Sequence, residues 1–248
     1  MKTIGLIGGM SWESTATYYQ LLNKLARQQL GGLHSAELLL WSFDFAEIEA
    51  LQAVEDWTTA TARMVKAAQR LAAGGAECLL ICTNTMHKMA DAVQTAVGIP
   101  LLHIADATAV AVQRAGLSRV GLLGTRYTME QPFYKGRLTE KYGLDVLIPK
   151  EPERTQVHDI IYDELCQGII RDESKQQYRS VIEQLLHQGA EGIILGCTEI
   201  GLLIQQEDVA VSVFDTTSIH AAAAIEFAMG ELAIGAKPNF GDSSPDPR

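Results

Sequence analysis

The chain has 248 residues, 47% of them hydrophobic, with a formal net charge of −10 and a pI near 5.1. That is enough apolar material for one large domain or two small ones with real cores. No run reaches the roughly 20 apolar residues a bilayer-crossing helix needs, and no Lys/Arg cluster is present to displace counterions from a nucleic-acid backbone, so neither membrane nor nucleic acid is an expected partner.

Residues 3–7 read as the first strand. A helix follows in which Ser11 is the N-cap, Ala16, Tyr19, Leu22 and Ala26 recur at helical spacing, and Gly31-Gly32 forms the stop. A strand at 37–41 leads through a short helical stretch to a loop carrying Gln52, and Asp56 caps a helix closed by Gly74-Gly75. Strands at 78–82 and 101–104, a helix from Ala107 to Gly116, a strand at 120–123, a helix from Met129 to Gly143 and a strand at 145–148 continue the alternation. Helices from Asp159 to Gly168 and from Lys175 to Gly189, strands at 192–195 and 211–214, and a stretch from Thr216 to Gly230 complete it. Residues 231–248 are rich in Pro, Gly and polar side chains and read as a mobile tail.

Runs such as Leu79-Leu80-Ile81 and Ile193-Ile194-Leu195 lack polar alternation, as strands do when helices cover both faces of a parallel sheet. The first strand, Ile4-Gly5-Leu6-Ile7-Gly8-Gly9, is echoed by Val120-Gly121-Leu122-Leu123-Gly124-Thr125, and residues 79–83 are echoed by 193–197. Gly5 maps to Gly121 and Thr83 to Cys197, two shifts that agree to within two positions, which points to a duplicated unit. The expected fold is therefore α/β: two pseudo-symmetric lobes, each a mostly parallel sheet flanked by helices, with the active site in the cleft between them. One lobe would comprise residues 1–107 plus 215–230, and the other 108–214.

In parallel α/β sheets ligands bind beyond the carboxyl ends of strands, where both Thr83 and Cys197 fall. A helix starting after each would aim its N-terminal dipole at the site, stabilising a thiolate or a bound carboxylate. A hydroxyl and a thiol at corresponding places in two halves suggest proton transfer on two sides of one carbon. Cysteine is the stronger candidate base, since its thiolate is accessible near neutral pH once its pKa is lowered, whereas a threonine hydroxyl is far poorer.

The segments Gly8-Gly9-Met10-Ser11-Trp12-Glu13-Ser14, Asn84-Thr85-Met86-His87, Gly124-Thr125 and Gly196-Cys197-Thr198-Glu199 together resemble the aspartate/glutamate racemase family over roughly residues 3–228. The resemblance implies pyridoxal-independent racemisation with one cysteine per lobe facing the substrate's α-carbon, no cofactor, and a homodimer. It implies that Cys197 deprotonates the L-enantiomer while position 83 serves the other face. It also implies a pocket in which Met10, Ser11, Asn84, Thr85, Thr125 and Thr198 hold the α-carboxylate and α-amino group. Gln52 is a candidate for the side-chain carboxylate or else a solvated loop amide, and Glu199 is a candidate for orienting the amino group or Cys197, or for capping the next helix.

This chain departs from the family pattern at the first thiol, where Thr83 stands and Cys82 lies one residue earlier. Strand neighbours point to opposite faces, so Cys82 reads as structural. Catalysis should then favour L-substrates. The same departure keeps open a one-cysteine isomerase or decarboxylase of small diacids, and a binding protein without catalysis. No Arg or Lys stands out as the partner of a distal carboxylate; Arg126 is adjacent to Thr125 but reads as an exposed loop residue. Gly5-Leu6-Ile7-Gly8-Gly9 lacks the dinucleotide-binding glycine spacing. Cys78, Cys82 and His87 do not repeat as a metal signature, and the other histidines look scattered. Four cysteines, Cys78, Cys82, Cys166 and Cys197, are too sparse for a secreted disulfide scaffold, and no leader-like segment precedes the first strand, so a reduced cytoplasmic setting is expected.

Overall fold

The unalternating apolar runs form strands buried on both faces: every residue of β1 (Ile4–Gly8), β3 (Cys78–Ile81) and β6 (Gly192–Gly196) is buried. In the computed structural model, which describes residues 1–230, these strands belong to two all-parallel sheets. The first has the order β2-β1-β3, with β2 at Leu38–Ser42. The second has the order β5-β4-β6-β7, with β4 at Arg119–Gly124, β5 at Asp145–Leu147 and β7 at Ser212–Asp215. Gly5 pairs with Leu79 and Ile7 with Ile81, just as Gly121 pairs with Ile193 and Leu123 with Leu195. The internal echo is thus a repeat of strand order and register.

Around the first sheet lie α1 (Trp12–Leu30), α2 (Phe45–Ala53), α3 (Trp57–Ala73) and the short α4 (Ala90–Thr95). Then come α5 (Ile104–Arg114), α6 (Arg126–Glu130), α7 (Glu153–Asp163), α8 (Asp172–His187), α9 (Ile200–Leu203) and α10 (Thr216–Met229). Alternate residues of each strand feed opposite faces. Ile7, Leu79 and Ile81 pack on Met64, Ala67 and Leu71 of α3, while Ile4, Leu6 and Leu80 pack on Tyr18 and Leu22 of α1 and Ala224 and Phe227 of α10. The second sheet has its own cluster, to which Ile104, Ala109 and Val112 of α5 contribute. The position chosen for the lobe boundary, 107/108, falls inside α5, whose other neighbour is α10.

Ser11 and Asp56 cap α1 and α3 as expected, accepting the amide protons of Ser14 and Thr59. Several expectations need correction. The buried face of α1 uses Tyr18, Leu22 and Ala26, not Ala16 and Tyr19; Tyr19 is 58% exposed. Residues 101–104 are not a strand: Leu101 makes one parallel bridge to Leu79, and His103 already caps α5, accepting from Ala105 N. Gln52 lies in the last turn of α2, not on a loop, and is buried. The helix expected from Met129 to Gly143 is interrupted, because Gln131, preceding Pro132, is held extended; helical turns resume at Arg137–Lys141. The helix expected at 159–168 begins earlier, at Glu153, and gives way after Asp163 to a 3-10 turn at Leu165–Gln167. The tail expected at 231–248 lies outside the described residues.

Candidate active site

Glycines bring the two sheets' strand ends to the site. Gly9 turns the chain from β1 into α1 at φ +79°, and a Cβ there would sit 2.3 Å from the Phe43 carbonyl oxygen. Gly124 and Gly196 end β4 and β6 side by side; a Cβ on Gly196 would meet Leu122 Cδ1 at 2.7 Å and the Leu123 carbonyl oxygen at 2.9 Å. Beyond these ends lies a small cavity of about 20 Å³.

Thr83 and Cys197 both line it, one from each sheet, together with Met10, Asn84, Thr85, Thr125, Gln52 and Glu199. Ser11 and Thr198 do not reach the cavity wall. They instead hold Glu199: Ser11 Oγ donates to Oε1 (2.7 Å) and Thr198 Oγ1 to Oε2 (2.7 Å), while Cys197 Sγ donates to Oε2 (2.9 Å). Glu199 therefore orients Cys197 and ties the second sheet's site segment to α1 of the first. Thr85 Oγ1 and Thr125 Oγ1, 3.0 Å apart, form a second bridge. A third runs from Tyr162 OH to Gln52 Oε1 (3.1 Å), and Gln52 Nε2 donates to Met86 Sδ (3.1 Å). Asn84 Nδ2 donates to Thr216 Oγ1 (3.1 Å), and its Oδ1, buried, has no partner among the described residues.

The expected lowering of the Cys197 pKa is not what the surroundings produce. Burial pushes the thiol well above its ordinary value, and the Glu199 charge and Cys166 push further in the same direction. The helical turns that follow Thr83 and Cys197 are a 3-10 segment, Thr85–Met89, and the four-residue α9, too short to build the dipole that a long helix would offer. Resting Cys197 is a thiol, and its proton points at a carboxylate. Cys82 lies in the apolar cluster with Tyr18 and Leu80, its pKa raised by burial, away from the cavity.

Sequence reasoning missed Phe45, Ile161, Tyr162, Cys166 and Gly196 as cavity residues. Gly196 was within reach of the strand-end argument, but the others come from helices whose buried faces carry no chemical motif. It also missed that three histidines converge. His87 and His103 rings lie 4.6 Å apart and His87 and His220 5.7 Å apart. Ile104 N donates to His87 Nε2 (3.2 Å), so Nδ1 carries the proton and donates to the Thr83 carbonyl oxygen (2.8 Å). His87 thereby pins the backbone of Thr83 to the start of α5. Among the described residues no group of three or more His, Cys, Asp or Glu is arranged to hold a metal ion, and no helix is long and apolar enough to cross a membrane.

Two parallel-sheet lobes, with a cavity lined from both, make a two-lobed α/β fold whose candidate site lies beyond the strand ends. Residues 7–224 match the family model described as Asp/Glu/Hydantoin racemase, and the chain belongs to that family. It is similar to a Yersinia pestis crystal structure provisionally called an Asp/Glu racemase, at 57% identity and TM-score 0.87, covering 92% of this chain and 100% of the other. It is also similar to an aspartate racemase homologue from Pyrococcus horikoshii OT3, at 38% identity and TM-score 0.81 with 92% and 100% covered. The aspartate racemase of Picrophilus torridus shares the fold at 20% identity and TM-score 0.73, with 93% and 95% covered. A curated relative from Pectobacterium carotovorum, itself uncharacterized, is 35% identical over 107 residues, 43% of this chain and 69% of the relative.

Proposed function

We propose that the protein is a cofactor-independent amino-acid racemase in which Cys197 takes the α-proton of an L-amino acid and Thr83 serves the opposite face. The observation that carries this reading is the shared cavity: Thr83 and Cys197, one from each repeat, both line it. Family membership supports the isomerase class and makes aspartate and glutamate the first substrates to assay. The two sides are chemically unequal. As substrate binds, the Cys197 proton leaves to water through Glu199 Oε2, with which it is already hydrogen-bonded, and the thiolate then removes the α-hydrogen. The resulting carbanion takes a proton from the Thr83 hydroxyl, which is half-buried and is reprotonated from water. Thr83 is a competent relay in this direction and a poor base in the reverse one. Four unpaired thiols fit a reducing cytoplasm, in which Cys197 would stay reduced.

The test is α-hydrogen exchange in deuterated water with chiral analysis of the product. Exchange with inversion, faster initially from L than from D, is the expected result, and Thr83→Cys should raise the rate from the D-enantiomer. Because the equilibrium constant is one, the asymmetry must appear in kcat or saturation and not in the end point. Equal kcat values from the two enantiomers at saturation would remove the role assigned to Thr83. Loss of carbon dioxide, or geometric isomerisation of a diacid, would favour the one-cysteine reading, and binding without exchange a non-catalytic one.

A further inference from the structure

The backbone on both sides of Thr83 is tied down. Before it, the Cys82 N–H donates to the Ile7 carbonyl oxygen (2.9 Å) and the Cys82 carbonyl oxygen accepts from Ser14 Oγ (3.0 Å). After it, the Thr83 carbonyl oxygen accepts from His87 Nδ1 (2.8 Å), and His87 Nε2 accepts from the amide of Ile104, the first residue of α5 (3.2 Å). The His87 ring is buried against His103 and His220, whose own ring nitrogens are bonded to the Ala105 amide and to Tyr18 OH and the Leu102 carbonyl oxygen. A ring so enclosed holds one place, and the Thr83 carbonyl with it. Cys197 has a separate anchor, Glu199, which is itself held by Ser11 and Thr198. The two anchors have no residue in common.

We propose that His87 is a positioning residue for one face of the reaction only: by fixing the Thr83 carbonyl it sets the reach of the hydroxyl that protonates the face opposite Cys197. The inference rests on the racemase reading and adds to it a division of labour between two anchors. Its consequence is stereochemical. Once Cys197 has taken the α-hydrogen of an L-amino acid, the carbanion has two exits. A proton from Thr83 gives the D-enantiomer. In deuterated water, Cys197 exchanges its new proton through Glu199, and a deuteron returned from its sulfur restores the L-enantiomer labelled at the α-carbon. Displacing a proton donor by about 1 Å costs up to about 10²-fold, so a loosened Thr83 starves the first exit and leaves the second open.

Two amide substitutions split the ring's roles, each keeping one of its two bonds. Asparagine Nδ2 can stand where Nδ1 donates to Thr83, and glutamine Oε1 where Nε2 accepts from Ile104. The measurement uses L-glutamate and L-aspartate in deuterated water, and divides D-product formed by deuterium taken into the remaining L-substrate. We expect His87→Gln to lower this ratio by at least about tenfold, and His87→Asn to recover most of it, with thermal melts confirming that both variants fold. From the D-enantiomer, where Thr83 acts first, uptake and inversion should fall together in His87→Gln. An unchanged ratio in His87→Gln, or one lowered equally in both variants, would overturn the positioning role while leaving the racemase reading intact. Unsubstituted protein that takes up no deuterium from either enantiomer would sink the racemase reading and this inference with it.

Discussion

At Cys197 the reaction is limited by the thiol's own proton. Burial and the neighbouring Glu199 charge raise its pKa, so the base form grows as pH rises, and kcat/KM for an L-amino acid should climb through the alkaline range and not level off at neutrality. Glu199→Gln removes the like charge and the proton acceptor together. The alkaline limb should move to lower pH as the repulsion disappears, while kcat falls by about 10²-fold, the lower end of what a positioned acid or base contributes. A pH–rate profile of both proteins decides this; an unmoved limb would mean that Glu199 does not act through Cys197. The sequence made Cys197, Thr83 and Glu199 visible as strand-end chemistry. It could not reveal the direction of the thiol's shift, because the burial that dominates it, and the Cys166 contribution, come from distant segments, Glu199 alone being a sequence neighbour.

The elements around Thr83 are held by the histidines of three of them: His87 of the 3-10 turn, His103 capping α5, and His220 of α10. His220 Nε2 donates to the Leu102 carbonyl oxygen (2.8 Å), so its Nδ1 accepts from Tyr18 OH of α1 (2.8 Å). Burial lowers its pKa to about 4, partly offset by the Leu102 bond, and burial lowers His87 and His103 as well. Between pH ~6.5 and ~4 the unfolded chain binds a proton at residue 220 that the folded chain does not. Stability from this group is therefore complete above pH ~6.5 and is lost as pH falls toward and below 4, by up to about 3 kcal/mol. His220→Gln keeps hydrogen-bonding capacity without titrating, so its Tm should fall less steeply over that window in thermal melts. Parallel slopes would show that residue 220 is not the titrating group. In sequence these residues, 87, 103 and 220, are far apart and looked scattered; the packing of α10 against α1 and α5 is what joins them. The same packing chose Tyr18 over Tyr19 for the buried face of α1, a one-residue rotation that apolar spacing alone does not resolve.

For the molecule as a whole, side-chain hydrogen bonds span the cleft, among them Ser11 to Glu199, Thr85 to Thr125, and Tyr162 to Gln52. They keep Cys197 only 7% exposed. Ser11→Ala cuts the first bridge and removes the α1 N-cap, at a cost of about 1 kcal/mol. Iodoacetamide labelling of Cys197 should accelerate several-fold in this variant, while Asp56→Ala, which uncaps the remote α3, should leave it unchanged. Equal acceleration by both would assign the effect to general destabilisation. The alternation of strands and helices, the repeated glycine-ended strands and the placement of a hydroxyl and a thiol at matching strand ends were all determined by the sequence, because periodicity, caps and repeats are written in neighbouring residues. The protonation of Cys197 and the histidine cluster were decided only by tertiary structure. Each depends on which distant groups exclude water and share one space.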